Sequence, residues 1–183
     1  MAIDLVALEA RLQKLEDEGA ISALIASYGP FVDSADADGA AALWDTDGRY
    51  DVEGWRMNSS SDVRAMVGSP SHRELVAGGC CHFLGPTVVS VSGDSAVAVC
   101  ESLVLLRTDQ ADPDRVDREA WRSAPTEYVV WRATANHFEL HRRDGTWLIT
   151  ARTSRLLDGG PDAHGLLTEG VGGRRLDSEV EPR

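Results

Sequence analysis

No cluster of Lys and Arg interrupts the carboxylates of this 183-residue chain: 18 basic side chains stand against 30 acidic ones, a formal net charge of -12. The longest basic run in the tail is Arg174-Arg175, so a polyphosphate or an anionic bilayer would meet repulsion, and neither nucleic acid nor a membrane surface is expected as a partner. Long apolar stretches are missing too. No window reaches the roughly 18 apolar residues of a bilayer span, and the opening Met1-Ala2-Ile3-Asp4-Leu5 lacks the basic-then-apolar order of an export signal. A cytoplasmic location is expected. With three cysteines, two of them adjacent as Cys80-Cys81, the chain has no disulfide framework, and the expectation is reduced, mostly buried thiols. What is present, 43% hydrophobic residues, suffices for one domain with a continuous core and a pocket in it.

Leu5, Leu8, Leu12 and Leu15 recur at helical spacing, and Ile21, Leu24, Ile25 and Tyr28 continue the stripe beyond Gly19. This pattern predicts an amphipathic helix that bends or restarts at Gly29-Pro30 and leaves Asp33 near a helix end. Asp36 to Gly39 reads as a loop whose Asp38 caps a short helix, Asp45 to Gly48 as a turn, and Tyr50 to Trp55 as an alternating, half-buried strand. Ser61-Asp62 and Ser69-Pro70 each open a further helix. Beyond Gly78-Gly79 the composition turns to Val, Leu, Thr and aromatics. Residues 81–91, 95–107, 127–142 and 147–156 predict an antiparallel meander, with residues 108–124 a long, charged excursion between two of its strands. Residues 1–158 form the domain in this reading, and the Gly- and Pro-rich tail, 159–183, is ragged or wraps a neighbour. Helices followed by antiparallel strands define an α+β fold, with the helices on one face of a curved sheet. Such a cone has a mouth.

Four stretches carry a resemblance: Tyr28 with Val32-Asp33, Leu43 to Asp51 (Leu-Trp-Asp-Thr-Asp-Gly-Arg-Tyr-Asp), His82-Phe83-Leu84-Gly85, and His141 to Trp147. Together, over about Leu5 to Leu156, they resemble the SnoaL-like branch of the nuclear transport factor 2 superfold, and within it scytalone dehydratase and hexachlorocyclohexane dehydrochlorinase. The resemblance implies a cone-shaped barrel of curved, mixed but mostly antiparallel sheet against N-terminal helices. It implies that Asp33 and His82 match the family's catalytic Asp-His dyad, that Thr134 and Asn136 match a Ser-x-Asn pair, and that Arg152 matches the dehydrochlorinase arginine. The second histidine of the dehydratase has no counterpart near Leu106-Arg107, and the dehydrochlorinase lysine has none either, Tyr28 being the nearest polar residue.

The chemistry such a dyad supports is proton removal next to a carbonyl or a leaving group. Free imidazole titrates at about 6.5, close to working pH, and an acceptor on one ring nitrogen leaves the other as a base. Neither a metal nor a cofactor is required. Taken singly, a histidine at a strand start is more often a satisfied core residue, and Tyr28 and Tyr50 are more often core aromatics with a hydroxyl at the rim. Arg152 is costly to bury unpaired, so it either meets a carboxylate such as Asp33 or Asp51 or faces solvent. His137 and His141 share a strand face but lack supporting ligands for a metal, and Cys80 or Cys81 is a packed thiol in preference to a nucleophile. One or two of Trp44, Trp55, Trp121, Trp131 and Trp147 are expected to line the mouth.

The expected function is therefore a cofactor-independent lyase of the dehydratase type, or an isomerase. Asp33 and His82 would act on a small hydrophobic, cyclic molecule held by Tyr28, Tyr50, Trp55, Asn136 and Arg152. The alternatives are a non-catalytic binding or partner subunit of the same fold, and water addition of the limonene epoxide hydrolase kind, which would draw on Asp33, Asp51 and Arg152. A homodimer or homotrimer is expected, built on an outer sheet face carrying Val88, Val97, Val99, Val129 and Trp131.

Overall fold

Asp4 accepts a hydrogen bond from the Ala7 amide and starts α1, Leu5–Asp33, in the computed structural model, which describes residues 4–108 and 127–176. The helix runs through Pro30 without restarting. Proline forfeits one backbone hydrogen bond, but Gly29 ahead of it has no Cβ to clash with its ring, and Ile21, Ile25, Tyr28 and Val32 are all buried on the sheet. Packing outweighs the lost bond. The leucine stripe is divided: from Asp17 onward the helix is buried on one side, whereas Leu5, Leu8, Leu12 and Leu15 remain exposed. Asp36, not Asp38, caps α2 (Ala37–Ala41), accepting from Gly39, and Ser59 caps α3 (Ser60–Val67). Ser69 and Pro70 open α4 (Pro70–Ala77) as expected.

Among the described residues seven strands make one sheet: β1 (Trp44–Val52), β2 (Trp55–Met57), β3 (Cys80–Leu84), β4 (Val88–Ser92), β5 (Ser95–Thr108), β6 (Glu127–Arg143) and β7 (Thr146–Leu156). Their order is β2-β1-β7-β6-β5-β3, with β4 also on β5, and every pairing is antiparallel except β1 with β7. The sheet is curved, mixed and mostly antiparallel, and it is not closed into a barrel. Asp45 to Gly48, expected as a turn, belongs to β1, where an irregularity between Trp44 and Arg49 absorbs the extra residues. Glu53-Gly54 makes the turn instead, with both residues at positive φ, so Trp55 starts a new strand. The charged excursion lies mostly outside the described residues, as does Trp121.

The core lies between α1 and the concave sheet face, where Ile21, Ile25 and Val32 meet Ala98, Phe138 and Ile149. Asp17 is buried there and accepts from Arg142 Nη1 at 2.6 Å and Trp147 Nε1 at 3.1 Å, tying the helix to the β6–β7 hairpin. The other face corrects an expectation. Part of the supposedly ragged tail is helix α5, Pro161–Val171, laid across β5 and β6 of its own chain. Ala163 and Leu166 pack on Ala135, and Gly170 permits the approach, since a Cβ there would sit 2.4 Å from Val99 Cβ. Val97 and Val99 are therefore buried within the chain, not exposed, while Val88, Val129 and Trp131 remain about half exposed.

Candidate active site

α1 ends at Asp33, where the macrodipole disfavours a carboxylate, and β3 supplies the compensation. His82 Nδ1 donates to Asp33 Oδ1 at 2.6 Å, and the main-chain N–H of His82 donates to Oδ2 at 2.8 Å. Both carboxylate oxygens are thus bound to one residue, which fixes the ring and its tautomer and leaves Nε2 with a free lone pair. The approach depends on Gly29, whose missing Cβ would lie 2.3 Å from the His82 carbonyl oxygen.

His82 opens onto a cavity of about 800 Å³ between the sheet and helices α3 and α4. Tyr28, Tyr50 and Arg152 line it, and Trp55, 58% exposed, lines it as well. Of the tryptophans, Trp55 and Trp131 face this space, whereas Trp44 and Trp147 are buried in the core. The apolar wall comes largely from Met66, Leu75, Leu84, Leu103 and Val104. Asn136 does not line it. It lies behind Arg152, accepting from Nη2 at 2.8 Å and Nε at 3.2 Å, with its own Nδ2 donating to Ser102 Oγ at 2.9 Å and Thr134 Oγ1 at 3.1 Å. Burial, reinforced by the neighbouring Tyr50, pushes the Tyr28 phenol far above its ordinary value, so it stays protonated as a donor.

Arg152 meets neither alternative offered for it. It is 4% exposed and paired with no carboxylate among the described residues, because Asp51 is taken by Arg155 at 2.6 Å and Asp33 by His82. The rings of Tyr28 and Tyr50, each 4.4 Å from its guanidinium carbon, and the Asn136 oxygen hold it instead. With Asp51 outside the cavity lining, the carboxylate set for water addition is not assembled. His137 and His141 do not act together: His137 Nε2 donates to the Arg174 carbonyl at 2.9 Å, and His141 is exposed.

One neighbour of His82 escapes a reading of the sequence. His72, from the first turn of α4, stacks on it with ring centroids 6.0 Å apart, and burial followed by the charge of His82 lowers its pKa. Nothing in the sequence ties these two histidines together, because α4 is placed by tertiary packing alone. Cys80 shares the His82 face of β3, its Sγ 3.7 Å from Nδ1. Asp33, Cys80 and His82 bring three donor atoms within 4.8 Å of one another, a set a metal could share. Burial and the charge of Asp33 push the Cys80 thiol up to about 11, however, and Nδ1 is committed to Asp33, so the chemistry of the set favours a proton-transfer pair beside a packed thiol.

An open curved sheet wrapped on an N-terminal helix, with a pocket at its mouth, defines the nuclear transport factor 2-like class, also called the cystatin-like fold. The chain belongs to the SnoaL-like domain family, whose model matches residues 13–153. An nuclear transport factor 2-like protein from Novosphingobium aromaticivorans is 36% identical over 91% of this chain and 99% of its own, with a TM-score of 0.79. A hexachlorocyclohexane dehydrochlorinase from Novosphingobium barchaimii superposes with a TM-score of 0.61 at 19% identity, covering 80% of this chain and 90% of that one. A protein assigned as a scytalone dehydratase from Novosphingobium aromaticivorans does so at 0.57 and 16%, covering 78% and 85%. No curated protein matches the sequence.

Proposed function

We propose that the protein is a cofactor-independent lyase of the dehydratase type, or an isomerase, in which Asp33 and His82 remove a proton from a small hydrophobic, cyclic molecule. The observation that carries this reading is the double hold of Asp33 on His82 at 2.6 and 2.8 Å beside a largely apolar cavity. A purely structural histidine needs no such hold on a ring that faces empty space. In the forward step Nε2 takes the proton from carbon, and Asp33 stabilises the imidazolium that forms. Tyr28, Tyr50 and Arg152 supply donors for the carbonyl oxygen on which charge develops. In a dehydration the same imidazolium returns its proton to the departing hydroxyl, so water leaves and the base is restored. In an isomerisation it returns the proton to a different carbon. Trp55 borders the entrance, and Asn136 positions Arg152. A homodimer or homotrimer is the proposed assembly.

The test is solvent exchange. A panel of cyclic hydroxyketones incubated in D₂O is followed by NMR for deuterium uptake at carbon and for loss of water, with His82→Ala as the comparison. Exchange that His82→Ala retains in full overturns the reading. Binding with neither exchange nor elimination makes the protein a non-catalytic small-molecule-binding or partner subunit of the fold.

A further inference from the structure

Several arginines on or beside the sheet take carboxylates: Arg142 pairs with Asp17, Arg143 with Asp45, Arg155 with Asp51, Arg132 with Glu53 and, beyond α5, Arg175 with Glu139. Arg152, although buried, takes none. In a chain with 30 acidic side chains against 18 basic ones, this arginine, at 4% exposure, has no acidic partner among the described residues. Its bed is neutral throughout, made of the Asn136 amide oxygen and the rings of Tyr28, Tyr50 and Phe138, the last 5.1 Å from the guanidinium carbon. Its Nη1 is buried and donates to nothing. An unpaired buried charge is strongly disfavoured, and ring faces and one amide oxygen offset only part of that. An Asp in place of Asn136 would have supplied the missing charge at the same size.

From this uncompensated cation at the inner end of the cavity we infer that the ligand is an organic anion: an apolar ring whose carboxylate, or ionised enol or phenol, sits against Arg152, Tyr28 and Tyr50. The inference rests on the reading of this cavity as the ligand site and names the class of molecule it takes. Tyr28 spans the two functions, its ring centroid 6.5 Å from that of His82 and 4.4 Å from the Arg152 guanidinium carbon. A ring lying along Tyr28 would then hold its oxyanion at the anion subsite and turn the C–H to be attacked toward the base. The wall of Met66, Leu75, Leu84 and Leu103 accepts the apolar remainder.

Calorimetric titration of the full chain at pH 8 tests this with three probes: 2-naphthoate for the carboxylate, 2-naphthamide as its neutral isostere, and 4-nitrophenol for the phenolate. Naphthoate is expected to bind at least about 10-fold more tightly than naphthamide. Bound nitrophenol is expected to show its phenolate absorbance at a lower pH than the free compound if phenolates share the subsite, whereas a naphthoate preference without that shift confines it to carboxylates. Arg152→Gln should abolish the naphthoate preference. So should Asn136→Asp, which changes charge at constant size and keeps the test open where Arg152→Gln fails to fold. Equal or tighter binding of the amide, no binding of any probe, or a preference that survives Asn136→Asp overturns the inference. The solvent-exchange assay reports separately: anion preference without exchange leaves the subsite standing and removes the lyase, and exchange on neutral ketones without anion preference does the reverse.

Discussion

Replacing Gly29 with alanine sets two physical effects against each other. In an unconstrained helix the change is favourable, by up to about 1 kcal/mol. In this one the new methyl would lie 2.3 Å from the His82 carbonyl oxygen and 3.7 Å from Leu84 Cδ1. A backbone oxygen in a paired strand cannot rotate away, so α1 must lift off β3 by about 1 Å to restore ordinary contact. Overpacking of this kind costs about 1–3 kcal/mol, and because the new Cβ also crowds the Pro30 ring that Gly29 spares, the helix gain does not offset it. For a chain of this size that lowers Tm by several degrees, at about 2–4 °C per kcal/mol. The site suffers more, because Asp33 lies one turn further along the same helix and both of its hydrogen bonds to His82 lengthen with the displacement. A shift of about 1 Å can cost on the order of 100-fold in rate. Thermal denaturation and the NMR signal of the carboxylate-bound Nδ1 proton of His82 together read both effects. Gly19→Ala is the control: on the same helix its methyl meets nothing within 4 Å, and it should raise stability by about 0.5–1 kcal/mol with the NMR signal unchanged. A Gly29→Ala protein with unaltered Tm and an unaltered Nδ1 signal would refute the reasoning.

Once a turned-over substrate is in hand, His82→Ala should lose most of the rate and Asp33→Asn nearly as much, since an amide can hold the wrong tautomer; the rate should survive chelators. Full activity of either variant in a folded protein would contradict the assigned roles. Burial lowers the pKa of His72 and of His137, with the His82 charge adding to the first and the Arg174 carbonyl opposing the second. The unfolded chain then binds protons first, so the stability these residues contribute is full above about pH 6.5 and is lost as pH falls toward their lowered values. Urea midpoints at pH 7.5 and 5.5 should differ in that direction, and equal midpoints would refute it. Asp17→Ala leaves Arg142 and the Trp147 N–H without their buried acceptor and should cost about 2–4 kcal/mol in denaturant titrations. Light scattering should give a dimer or trimer of the 19.8 kDa chain, because Val88, Val129, Trp131 and the α1 leucines stay exposed; a monomer mass at micromolar concentration would contradict this.

Much of this molecule is written in local pattern. The long first helix, the helix opened by Ser69-Pro70, the runs that became β5, β6 and β7, and the placement of Asp33 at a helix end all follow from spacing that neighbouring residues enforce on one another. The likeness of the Asp33 and His82 motifs to a known dyad was legible too, and the pair does meet. Local pattern misled where its rule was weaker than packing: Gly29-Pro30 does not break α1, because the residue expected to end the helix is the one whose small size lets β3 approach. It also misled where composition hid a helix, as in Pro161–Val171, whose Gly170 spares room against Val99. The environment of Arg152 could not be read at all. Its neutral bed is assembled around β7 from α1, β1 and β6, and which of the many carboxylates stays out of reach is a matter of strand register and of competing pairs such as Arg155 with Asp51. The same holds for His72 stacked on His82. Periodicity is imposed by residues a few positions apart, whereas a distance between side chains on separate elements exists only once the whole sheet has closed on its helices.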